Sequence, residues 1–253
     1  MDIREVKRID CASSEDIILK GDDFAELERL KMVLTPEFNI KDLGTMKYFL
    51  DIEFSRSKKR IFISQRKYVL DLLGETGSLG CQATETSIES NLKMQHAKPE
   101  EVIDKGKFQW LVGKLNYLCH TCHDIAFAVS IVSQFMYSPE KEHFDVVYRI
   151  LRYLKGTLGK GLLFENCGYL QVEVYTDAYW ARSKIDRRST SRYCTFVGGN
   201  LVTWRSKKQN VVARSSKEAE LRVVAHGISK VLRVKKTAGR SKGYQSATYE
   251  SLL

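Results

Sequence analysis

The stretch LQVEVYTDAYW, residues 170–180, decides how the last third of the chain is read. Leu170, Val172 and Val174 alternate with polar residues, the period of two that a strand with one buried face requires. Asp177 closes that alternation, so it either ends a strand or begins a hard-oxygen metal site. On either side the same period recurs in GLLFE (161–165), SRYCTFVGG (191–199) and NLVTWRSK (200–207). These runs predict an antiparallel meander, with Gly198, Gly199 and Asn200 making the last hairpin. After QNVVARSS the period becomes helical: SKEAELRVVAHGISKVLRVKK (216–236) sets Leu221, Val224, Ala225, Ile228 and Leu232 on the face expected to pack on the sheet. The tail from Thr237 has little periodicity and is expected to be irregular.

Further from that stretch, DDFAELERLKMVL (22–34) predicts a capped amphipathic helix, with Phe24, Leu27, Leu30 and Leu34 near helical spacing. MKYFLDIEFSRSKKRIFIS (46–64) predicts a β-hairpin around a basic turn, and QRKYVLDLLGETG (65–77) a short helix ended by glycine. Residues 80–105 are polar and weakly patterned. KFQWLVGKLNYLC, DIAFAVSIVSQFM and EHFDVVYRILRYLKGT then carry apolar residues at helical spacing, Pro139 parting the last two. Most of the aromatic residues here (Phe108, Trp110, Tyr117, Tyr148, Tyr153) are expected to pack in a core. The expected fold class is α+β, in segments 1–78, 79–160, 161–236 and an irregular 237–253.

With 43% hydrophobic and 28% charged residues in 253, the composition is that of a globular protein with a sizeable core. No run approaches the ~18 apolar residues of a membrane span. The charged N-terminus lacks a signal-peptide core, so an intracellular location, cytoplasm or nucleus, is expected. The net charge of +10 favours a polyanionic partner. Arg182, Lys184, Arg187, Arg188, Arg192, Arg205, Lys207, Lys208, Arg214 and Lys217 cluster in one region, interleaved with Tyr193 and Trp204, as on a nucleic-acid face. Six cysteines in such a chain are expected to be reduced. CHTCH, residues 119–123, matches the haem-attachment pattern, but its flanks read as two packed helices; neither haem nor metal is expected there.

Three acids define the candidate chemistry. Ser215 and Glu218 have capping-box spacing, which gives Glu218 a structural task. Glu220 is not needed for that cap and borders the apolar face, from which it could approach the strand end carrying Asp177. Two such carboxylates suit Mg2+, although two-metal hydrolysis generally needs more ligands.

The segment VEVYTDAYWARSKIDRRSTSRYCTFVGGNLVTWRSKKQNVVARSSKEAEL resembles the ribonuclease H region of copia-type retrotransposon Pol polyproteins. FNIKDLGTMKYFLDIEF, IFISQRKYVLDLL, LVGKLNYLCHTCHDIAFAVSIVSQFM and VYRILRYLKGTLGKGLLF resemble the palm edge and thumb of the reverse transcriptase, and the likeness covers residues 13–236. The resemblance implies a palm-edge hairpin and thumb-like helices, followed by an incomplete ribonuclease H-like sheet with one long helix. It implies Mg2+ as cofactor, an RNA–DNA hybrid as partner, Asp177 as the strand ligand and Glu220 as the helix ligand. Arg187, Arg188, Trp204, Lys207 and Lys208 would form the hybrid-binding face, a 2′-OH contact telling RNA from DNA.

The departures from the family pattern shape the expected activity. Tyr179 and Arg182 stand where YTDADWAGS has an acid and a glycine. At the polymerase YVDD, SSED leaves only Asp16, and CHTCHDIA replaces an HTRPDIA-like stretch. The third ribonuclease H carboxylate lies on a strand after the long helix; here only Glu250 follows Glu220, and that strand and the last helix are expected to be missing. The fingers and most of the palm would lie before Met1. The expectation is a polyprotein fragment inactive in both chemistries, with an unpaired sheet edge. The alternatives are a non-catalytic nucleic-acid-binding protein and a residual Mg2+-dependent nuclease.

Overall fold

The computed structural model describes residues 9–11, 17–19, 23–38, 44–89, 104–169, 171–181, 186–238 and 247–251. The chain divides into two units, Met1–Met46 and Lys47–Leu253. In the first, strands β1 (Ile9–Cys11) and β2 (Ile17–Leu19) pair antiparallel and precede helix α1 (Phe24–Phe38). The expected cap is made by Asp23, whose Oδ1 accepts the Glu26 N–H at 3.2 Å. Asp16 lies outside the described residues.

The second unit opens with β3 (Tyr48–Phe49), β4 (Ile52–Arg56) and β5 (Arg60–Ser64), paired antiparallel in succession. Leu50 and Asp51 join β3 to β4 with φ of 47° and 58°, the left-handed pair of a two-residue hairpin. The fourth strand of this sheet is β6 (Leu162–Glu165), which pairs with β5. This corrects the expectation that GLLFE heads the C-terminal meander. Its alternation is genuine, but the partner strand lies about a hundred residues earlier, a pairing that local pattern does not encode. Gly161 permits the approach, because a Cβ there would clash with the Ile63 carbonyl oxygen and lie 2.8 Å from Phe62 Cζ.

Helices α2 (Arg66–Glu75), α3 (Lys105–Leu118), α4 (Ala126–Val132) and α5 (Lys141–Gly156) share one core. Leu72 and Leu73 meet Phe108, Leu111, Leu115, Ile125, Val129, Ile150 and Leu151, all almost wholly buried. The helical spacing therefore located this core correctly, and Phe108 and Tyr153 join it as expected. Trp110 does not: it is exposed, with the Lys114 ammonium 5.5 Å from its ring. Asp104 caps α3 by accepting the Lys107 N–H at 2.9 Å. At the start of α5, Glu140 and His143 form a reciprocal box, the His143 ring stacked 3.8 Å from Phe135.

The second sheet has the order β10-β7-β8-β9, from β7 (Val172–Tyr179), β8 (Thr190–Val197), β9 (Asn200–Lys208) and β10 (Ala247–Ser251). The first three are antiparallel, and Gly198 and Gly199 make the β8–β9 turn with φ of 54° and 74°. Helix α6 (Ser216–Ala238) packs on β7 and β8. Two expectations are corrected here. The tail is not wholly irregular: Ala247–Ser251 pairs in parallel with Val172–Thr176, so the sheet edge expected to be unpaired is covered at β7. Five residues, of which three (Thr248, Glu250 and Ser251) are polar, are too short a run to register as periodic, and the pairing satisfies β7 groups that would otherwise be bare. The buried row of α6 is also not the expected one. Ala219, Val223 and Gly227 are buried, whereas Leu221, Ile228 and Leu232 are 69%, 47% and 61% exposed. Apolar residues cover more than half the helix circumference, so periodicity did not single out the side facing the sheet.

Candidate metal and nucleic-acid site

Strand alternation decides what Asp177 meets. Val172, Val174 and Thr176 are buried, and across the β7–β8 register they oppose Val197, Thr195 and Tyr193. Lys230 of α6 lies 5.8 Å from the Tyr193 ring centroid, so this is the face that α6 covers. Asp177 belongs to the alternate row, directly opposite Arg192. Its Oδ2 lies 3.9 Å from Arg192 Nη1, and the guanidinium carbon sits 5.0 Å from the centre of the Phe127 ring on α4. The partner brought to Asp177 is thus a cation, itself held over an aromatic face.

Glu218 takes the capping task that its spacing predicted. Glu218 accepts the Arg214 N–H at 2.8 Å, its own N–H donates to Ser215 Oγ at 3.2 Å, and Arg222 donates to it at 2.8 Å. The hydrogen bond from Arg222, then that from the Arg214 backbone, holds its carboxyl below the ordinary carboxylate range. Glu220 is half-buried, next to the fully buried Ala219. Among the described residues, no three His, Cys, Asp or Glu side chains converge in a group able to hold a metal ion.

The basic residues separate into tied and exposed sets. Asp186 takes Arg188 at 3.5 Å and Lys208 at 3.2 Å. Arg187, with φ of 54°, is exposed, as are Arg205 and Lys207, which alternate on β9. Trp204 turns instead to the helical block. Its indole N–H donates to the Cys119 carbonyl at 3.1 Å, and its ring meets His123 edge-on at 5.6 Å. CHTCH is therefore a packing junction, and burial pushes the Cys119 thiol up to about 12. Sequence reasoning missed Arg192 as the partner of Asp177; the signal was the β7–β8 register, which needs the loop length as well as the pattern.

Known proteins set these features in a class. Residues 7–90 match the family described as reverse transcriptase (RNA-dependent DNA polymerase). The chain is 38% identical over 211 residues to an uncharacterized mitochondrial protein of Arabidopsis thaliana, spanning 83% of this chain and 88% of that protein. It is 37% identical over 217 residues to the retrovirus-related Pol polyprotein from transposon RE1 of Arabidopsis thaliana, which takes in 86% of this chain. It is 34% identical over 215 residues to that from transposon TNT 1-94 of Nicotiana tabacum, across 81% of this chain. The chain spans 15% and 16% of those two polyproteins. Its class is that of a reverse transcriptase-like region. More particularly, it belongs to the Pol family of copia-type retrotransposons. No helix among the described residues is long and apolar enough to cross a membrane.

Proposed function

We propose that the β10-β7-β8-β9 sheet with α6 is a ribonuclease H-like scaffold that cleaves no RNA, and that the chain as a whole performs neither polymerisation nor hybrid hydrolysis. The observation that carries this reading is the Asp177–Arg192 pair at 3.9 Å. A two-metal site stabilises the attacking and leaving oxygens with cations about 3.5–4 Å apart, and needs clustered anionic ligands. A guanidinium held beside the strand carboxylate opposes a bound cation, so the residues around Asp177 do not fit a Mg2+ pair. The scaffold reading is supported by the order β10-β7-β8-β9, in which the strand after the long helix runs parallel to the strand carrying the acid. At the polymerase motif, the support is the sequence SSED itself.

The test is a labelled RNA–DNA hybrid incubated with Mg2+ and either the wild-type chain or Asp177→Asn. Asp177→Asn is a sound control because a half-exposed pair of this length adds little to stability. Neither protein is expected to yield Mg2+-dependent product. Cleavage by the wild type that disappears in the variant overturns the proposal.

A second reading, non-catalytic nucleic-acid binding, is favoured by the exposure of Arg187, Arg205 and Lys207 while Arg188 and Lys208 engage Asp186. Binding through these groups weakens steeply with salt, and Lys207→Ala reduces the salt slope by about 1. Salt-insensitive binding, or an unchanged slope, removes this reading.

A further inference from the structure

We propose that α6 is a self-association element, through which two copies of the chain pair as antiparallel helices. Leu221, Ala225, Ile228 and Leu232 follow 4-3-4 spacing, that of a two-helix seam, and none of them is buried. At 100° per residue their row is centred about 170° around the helix from Ala219, Val223 and Gly227, which face the sheet. The helix therefore has two apolar sides, of which the described residues of one copy cover only one.

The occupant is read from the symmetry of the row. Its four positions are symmetric about the midpoint between His226 and Gly227. A second, antiparallel α6 thus brings Leu221 onto Leu232 at both ends and Ala225 onto Ile228 in the middle. The small Ala225 leaves room for Ile228 of the second copy, and each Leu meets another Leu. A parallel copy would instead set Ala225 against Ala225 and leave a gap. Charge follows the same symmetry. Glu218 stands at the N-terminal end of the row and Lys236 at the C-terminal end, so antiparallel pairing sets each acid near the base of the other copy. Such a seam is small against the ~1,200–2,000 Å² of standard stable interfaces, which places the dimer in the micromolar range. The contact is isologous and closes at two copies.

Sedimentation equilibrium of the full chain from 2 to 200 µM, about the range such an interface spans, tests the proposal. The wild type is expected to shift from monomer to dimer across that range. Leu221→Glu with Leu232→Glu weakens association at least about 100-fold, because both end layers then oppose like charges. Leu221→Glu with Leu232→Lys retains association, since an antiparallel seam sets each new acid against a new base. Circular dichroism of both variants checks that α6 remains folded; these positions are exposed. A wild type that stays monomeric at 200 µM, about the top of that range, overturns the proposal. Dimerisation that survives the Glu/Glu pair, or that fails equally in both variants, does so as well.

Discussion

Replacing Gly161 with alanine tests the least local feature of the fold, the pairing of β6 with β5. An ideal Cβ at this position clashes with the backbone carbonyl of Ile63 and approaches Phe62 Cζ to 2.8 Å. The Phe62 ring can swing aside, but the carbonyl belongs to the ladder in which Ile63 opposes Leu162. Relief therefore requires β6 to move off β5. Overpacking of this kind costs about 1–3 kcal/mol, and a weakened ladder bond adds about 1 kcal/mol. Gly159, two residues away, provides the control: a Cβ there meets nothing within 4 Å. Gly159→Ala is expected to stabilise the chain by about 0.4–1 kcal/mol through the unfolded state. The two variants should thus differ by about 3 kcal/mol. With a urea m-value of about 3 kcal/mol/M, their unfolding midpoints separate by roughly 1 M, Gly161→Ala being the lower. Tryptophan fluorescence reports the transition. Equal midpoints, or a higher midpoint for Gly161→Ala, would refute the placement of β6.

Three further outcomes follow from the cores, the junction and the cap. Thr195 is fully buried in β8 with its Oγ1 unpartnered, so Thr195→Val should raise stability by about 1 kcal/mol in calorimetry; a loss would mean that the hydroxyl is bonded. Burial raises the Cys119 thiol to about 12 whereas Cys167 is exposed, so peptide-mapped alkylation at pH 8 should label Cys167 far ahead of Cys119. Comparable rates would contradict the packed junction. Glu218 is held below its ordinary range, so its stabilisation is present above that range and is lost as pH falls through the lowered value. The difference in Tm between wild type and Glu218→Gln should therefore be greatest near neutrality and shrink on acidification; a pH-independent difference would argue against the cap.

What was legible in the sequence follows the range of the interactions involved. The core of α2–α5 could be read because each helix carries its apolar residues on one stripe, from Tyr68 to Leu154. The Ser215–Glu218 cap and the Gly198–Gly199 turn depend on neighbours within four residues, and both were visible. Long-range pairing was not. GLLFE reads equally well as a partner for β7 or for β5, and only the close approach permitted by Gly161 distinguishes them. The buried side of α6 was hidden for a different reason: an apolar arc wider than half the helix leaves hydrophobicity without a direction. Ala219 and Gly227, rather than the larger Leu221 and Leu232, face the sheet, because small residues let a helix approach β7 closely.

The same distinction separates the scaffold of this chain from its chemistry. Fold-determining positions in the sheet of β7–β10 are the alternate residues Val172, Val174 and Thr176, with Ala219 and Val223 above them, and all five are buried. Each is constrained by packing, where changing even one methylene is felt. Asp177 and Glu220 are only partly buried, and neither is needed to close the core. A cation can therefore come to face Asp177 without disturbing β7, since Arg192 rests on Phe127 of the neighbouring helical block and not on the core beneath the sheet. Packing preserves a strand that carries an acid at its end; it does not preserve the charge environment that would let that acid bind a metal. The strand is thus held in place by its buried row, which ends at Thr176, and the loss of reactivity that we propose rests on the alternate row, one residue away, where Asp177 meets Arg192.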